Sequence, residues 1–180
     1  EAFGTYALGW AATVVVNTFV FTGFYQALLR SLDYETDRDS LFWLNAAVAG
    51  AGALGILAVG QLAGGFDTAV GYVLSALAPI PLLLTATAWW EAQLVRARRV
   101  RSASLYTVVA EGAGLLTAVL MLQAGWGIEA LIASRYAATL AGLVLTGGLV
   151  RTLPRLSLRR QTARSAGATA LPLWGTSSVS

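Results

Sequence analysis

Residues 104–124 read Ser104-Leu-Tyr-Thr-Val-Val-Ala-Glu-Gly-Ala-Gly-Leu-Leu-Thr-Ala-Val-Leu-Met-Leu-Gln-Ala124, an apolar run with one charge, Glu111. As a helix rising about 1.5 Å per residue, it crosses the roughly 30 Å core of a bilayer. The run is too long for a strand and apolar on nearly all faces, so lipid or neighbouring helices must cover it. Four further stretches share this character: Ile128–Val150 downstream, and Ala69–Trp90, Leu41–Gly64 and Tyr6–Leu29 upstream. The fold class that follows is all-α, a polytopic transmembrane helix bundle of about five full spans plus the start of another. Residues 1–165 make up this transmembrane unit. Residues 166–180, where Ala170–Trp174 begins a new apolar run, are either the start of the next span or a flexible tail.

Composition agrees with a bilayer as solvent. The 180 residues are 57% hydrophobic and 12% charged, with a mean hydropathy of +0.67, whereas soluble domains carry about 25% charged residues. The apolar content also excludes a disordered chain. The first stretch lacks the basic start, short apolar core and cleavage site of a signal peptide. With no Cys and no His, the chain has no thiolate or imidazole for a metal site, no Cys nucleophile and no His base. No two carboxylates pair inside a span, the Ser and Thr residues lack a nearby base, and no phosphate-binding glycine loop follows a strand. An enzyme is therefore not expected, nor is a cofactor.

The loops orient the spans. All twelve cations are arginines, and the net charge is +3. They cluster between apolar runs, unlike a nucleic-acid-binding patch, and no nucleic-acid partner is expected. Arg30 and Arg38 flank the first loop. Arg96, Arg98, Arg99 and Arg101 lie in 91–103, and Arg151, Arg155, Arg159, Arg160 and Arg164 follow Val150. The short linkers 65–68 and 125–127 carry no cation. Eleven of the twelve arginines thus fall on alternate loops, which the positive-inside rule places in the cytoplasm. The expected location is the cytoplasmic membrane, multi-pass, with the bilayer itself as a partner. Aromatic residues agree: Phe3, Tyr6, Trp10, Phe66, Tyr72 and Trp126 fall near one rim, and Phe24, Tyr25, Phe42, Trp43, Trp89, Trp90 and Tyr106 near the other.

Ionisable residues inside a span are costly and mark a site by default. Glu111 lies about 10 Å deep from the cytoplasmic side and Arg135 about 12 Å deep from outside, counting 1.5 Å per residue. Antiparallel neighbours and a long arginine side chain bridge the remaining depth. Three readings of Arg135 stand: a buried pair with Glu111, a cavity-facing cation that attracts an anionic substrate, and an arginine snorkelling to a loop. Pro79 and Pro81 remove backbone donors mid-span and kink the helix. That kink is either a hinge lining a cavity or a static bend. Arg30 is a snorkelling anchor or a phosphate contact at the cavity mouth. The cluster from Arg96 to Arg101 is a topology signal, with anionic lipid headgroups as a second reading. Asp33, Glu35, Asp37 and Asp39 read as a solvated loop, with Asp39 or Ser40 capping the second span. Gly60 and Gly64 form a small-residue contact pattern.

Four motifs carry a resemblance. Glu1-Ala-Phe-Gly-Thr-Tyr-Ala7, Gly23-Phe-Tyr-Gln-Ala-Leu-Leu-Arg30, Ser40-Leu-Phe-Trp-Leu-Asn45 and Gly125-Trp-Gly-Ile-Glu-Ala-Leu131 occur in that order. In sequence and spacing they resemble the polysaccharide exporters and lipid-linked oligosaccharide (O-antigen type) flippases of the multidrug/oligosaccharidyl-lipid/polysaccharide superfamily. The resemblance implies an N-terminal lobe without its first helix, and a second transmembrane lobe of the same chain as partner. It also implies export of a polyprenyl-pyrophosphate-linked glycan by alternating access. Arg30 sits where that family carries Arg, and inward arginines there meet pyrophosphate. Arg135 falls where the family often has a polar residue. One departure is the absence of the family's Phe among the basic residues after Trp90, where Val100 is nearest. A non-transporting membrane subunit of a polysaccharide assembly complex is the alternative, and a drug or metabolite antiporter of the same superfamily is the next.

Overall fold

The computed structural model describes residues 2–19, 25–31 and 34–157, and every regular element among them is helical. The helices are α1 (Ala2–Phe19), α2 (Gln26–Arg30), α3 (Tyr34–Leu62), α4 (Ala69–Leu77), α5 (Ile80–Arg96), α6 (Val100–Gln123) and α7 (Ile128–Val150). Among the described residues, four spans are long and apolar enough to cross a membrane: α3, α4 with α5, α6 and α7. The expected first span, Tyr6–Leu29, overlaps α1 and α2, which begin before it at Ala2 and end past it at Arg30, with residues between them outside the described set. Asp33, Phe24, Arg159, Arg160, Arg164 and the segment 166–180 also lie outside it.

Helix α7 keeps the expected bounds. Helix α3 does not: it begins at Tyr34 rather than near Leu41. Glu35 and Asp37 in its first turn oppose the positive end of the helix dipole, and Glu35 pairs with Arg38 at 3.0 Å. Most of the acidic stretch is therefore helix, and the expected cap at Asp39 or Ser40 is corrected. Both residues are buried inside α3, and Ser40 Oγ donates to the Ser157 carbonyl at 2.9 Å. The basic loop after Trp90 likewise shrinks to a turn at 97–99, because α5 runs on to Arg96. Arg96 earns this extension. Its guanidinium donates to the carbonyls of Leu28, Leu29 and Ser31, at 3.4, 2.8 and 3.2 Å, which closes the C-terminal end of α2. It also lies 4.3 Å from the Tyr34 ring centroid.

The third span breaks at Ala78 and Pro79, between α4 and α5. Proline has no N–H to continue the ladder. The carbonyl of Ala76, just before the break, accepts from the Tyr136 hydroxyl of α7 at 2.5 Å. This broken span is the most buried of the four and holds the centre of the bundle. Val73, Leu77 and Ile80 pack there with Tyr6 of α1 and Ile132 of α7. At Gly71 a Cβ would stand 2.7 Å from the Gly60 carbonyl oxygen, so only glycine lets α4 approach the end of α3 so closely. Gly60 thus serves the expected contact, whereas Gly64, at φ +102°, makes the turn after α3.

The ends of α2, α3, α5 and α7 that carry the arginines gather together. The indole N–H groups act as pins there. Trp43 donates to the Arg155 carbonyl at 3.0 Å, Trp90 to Thr152 at 2.8 Å and Trp89 to Arg38 at 3.0 Å. The rim aromatics therefore also fix the segment 151–157 across the bundle's basic end.

Candidate functional site

A groove runs between α1 on one side and the α6–α7 hairpin on the other, largely apolar but with charged side chains at its middle. The hairpin is tight because Gly114 meets α7 without a side chain: a Cβ there would stand 2.8 Å from the Ser134 carbonyl oxygen. One turn before Gly114 on α6 is Glu111, and next to Ser134 on α7 is Arg135. The structure brings these two together. Arg135 Nη1 lies 3.5 Å from Glu111 Oε2, with the Glu111 side chain 64% exposed, so the expected pair forms but is not buried in the bundle. Its Nε donates to the Tyr6 hydroxyl at 3.1 Å, and the guanidinium lies 4.4 Å from the Trp10 ring centroid. Arg135 thus ties α7 to α6 through charge and to α1 through a hydrogen bond and a ring face.

This cluster divides the groove. Towards the end away from the arginines lies a cavity of about 490 Å³, lined by Phe3, Tyr6, Trp10, Gly114, Leu131 and Ser134 among others. Towards the basic end lies a second, of about 390 Å³, lined by Trp10, Asn17, Thr87, Glu91, Tyr106, Thr139 and Gly142 among others. Glu111 and Arg135 belong to both walls. A group moving along the groove would pass the guanidinium.

Glu91 sits in the basic-end cavity and is the residue that sequence reasoning missed by assigning it to a loop. Its Oε2 accepts from the Tyr106 hydroxyl at 2.5 Å and its Oε1 from Tyr25 at 3.2 Å. The spacing held a signal: Leu84, Thr87 and Glu91 share one helix face once α5 is extended past Trp90, and all three line this cavity. The cavity therefore carries two carboxylates against one guanidinium. Among the described residues, no three His, Cys, Asp or Glu side chains gather to hold a metal ion.

The remaining expected site residues lie elsewhere. Pro79 and Pro81 mark the break but line neither cavity. Arg30 closes α2 at the basic end, and its side chain is outside the described set.

No curated protein and no solved structure matches the chain. A family model described as polysaccharide biosynthesis protein matches residues 1–177, which takes in every helix of the groove. With an apolar helical bundle matched over nearly its whole length, the chain belongs to the polysaccharide biosynthesis protein family.

Proposed function

We propose that the protein is a flippase or exporter that moves a polyprenyl-pyrophosphate-linked glycan precursor across the cytoplasmic membrane by alternating access. The observation that carries this reading is Arg135, a cation held with Glu111 on the wall shared by two cavities of an otherwise apolar bundle. A hydrophilic head group needs such a path, because polar groups do not cross hydrocarbon unaided. Family membership supplies the polysaccharide context. In this account the basic end faces the cytoplasm, and a second transmembrane lobe of the same full-length chain covers the open side of the groove. Arg30 meets the pyrophosphate at the mouth. Arg135 and Glu111 meet the head group in passing, and Pro79 and Pro81 are the hinge.

The test is a complementation assay of glycan export, normalised to membrane protein level, in cells that depend on the full-length protein. Arg135→Ala is expected to reduce export at least about tenfold per folded molecule, the order of one lost charge-assisted contact. Arg135→Ala exporting like the unmodified protein at equal level would overturn the proposed path.

A further inference from the structure

Several threonines in this bundle satisfy their hydroxyls within their own helix. Thr13, Thr85, Thr107, Thr117 and Thr146 each donate their hydroxyl to the carbonyl four residues back, the usual local partner in a helix. Thr87 does not. It is 5% exposed and lines the basic-end cavity, and its Oγ1 has neither a hydrogen-bond partner nor contact with solvent. Asn17 of α1 lines the same cavity, and its Oδ1 is in the same state. A buried polar atom left unmet costs about 1–3 kcal/mol. Two such atoms on one cavity wall point to a ligand that supplies their partners. One χ1 step moves the Thr87 hydroxyl to the place of its methyl, and rotation about χ2 swings the Asn17 carboxamide, so side-chain motion alone presents both.

Charge selects the ligand. Arg135 is already matched by Glu111 at 3.5 Å. Glu91 receives two tyrosine hydroxyls, and among the described residues no cation pairs with it. A phosphate or a uronate placed here would face an uncompensated carboxylate, which discriminates against it. A neutral sugar fits: its hydroxyls donate to Glu91 and Asn17 and exchange a hydrogen bond with Thr87. A volume of about 390 Å³ lies within the roughly 300–1,000 Å³ of small-molecule pockets.

We infer that the basic-end cavity is a subsite for an uncharged sugar ring of the precursor, read by Thr87, Asn17 and Glu91, and that it favours the ring over the pyrophosphate. This rests on the carrier reading and adds which part of the substrate the cavity takes.

The test uses the full-length protein in lipid nanodiscs and three radiolabelled probes with one alkyl chain: octyl glucoside, octyl glucuronide and octyl phosphate. Empty nanodiscs give the background. The glucoside is expected to bind at least about tenfold tighter than either anion. Thr87→Val and Asn17→Leu each weaken it about 3–10-fold, the size of one hydrogen bond, whereas Thr87→Ser retains it. Glu91→Gln brings the glucuronide towards the glucoside. The inference is overturned if glucoside affinity is unchanged in both folded variants, or if the phosphate probe binds tighter and displaces the glucoside. Should Thr87→Val fail to fold, Asn17→Leu decides alone. Selective glucoside binding without translocation in proteoliposomes would sink the carrier reading and leave the subsite. Translocation indifferent to Thr87 and Asn17 would do the reverse.

Discussion

A guanidinium at mid-depth in a bilayer costs about 2.5–3.5 kcal/mol on insertion scales, and Arg135 meets that cost with Glu111, Tyr6 and Trp10. The pair is open in the described bundle, so removing one charge strands the other where lipid excludes water. Arg135→Ala is therefore expected to lower the melting temperature of the purified protein, and adding Glu111→Ala to recover much of the loss. Additive losses in the double variant would show that the two charges are not coupled. Both residues were legible in the sequence, because a single charge in an apolar run stands out. Glu91 was not, since its place depends on α5 continuing past Trp90, and that continuation rests on contacts from Arg96 to a distant helix end. The orphaned hydroxyl of Thr87 was beyond sequence reading altogether. Many threonines here find a local partner, and only packing reveals that Thr87 is buried without one.

Among the elements, the broken span α4–α5 holds the groove to the bundle centre. Its prolines announce the break in the sequence, but the partner that steadies it, the Tyr136 hydroxyl on the Ala76 carbonyl, comes from α7. Tyr136→Phe removes that donor at a cost of about 1 kcal/mol. Amide exchange at residues 78–83 is expected to quicken while the rest of α7 keeps its protection, as read by hydrogen-exchange mass spectrometry. Unchanged exchange at the break would mean that the hydroxyl does not steady it. Helix lengths were readable where apolar residues set them, as in α7. They were misread where charge set them: the acidic start of α3 looks like a loop, yet Glu35 and Asp37 favour a helix N-terminus.

For the whole molecule, the arginine pattern predicts that the turns at 97–99 and 65–67 face opposite compartments. The chain has no cysteine, so Arg98→Cys and Phe66→Cys each introduce one thiol. In intact cells an impermeant reagent is expected to label Phe66→Cys and spare Arg98→Cys. Labelling of both from outside would refute the orientation. The central claim, that a head group travels the groove, is tested most directly by filling it. Gly142 lines the basic-end cavity, where a Cβ would stand 3.7 Å from both Ala110 and Thr87, an ordinary contact. A phenyl group attached there is expected to take up cavity space. The measurement is the initial rate of translocation of a lipid-linked oligosaccharide in proteoliposomes of the full-length protein. The unmodified protein is expected to translocate it, and Gly142→Phe to do so at least about tenfold more slowly at unchanged helicity. Equal rates for the two proteins would contradict passage along the groove.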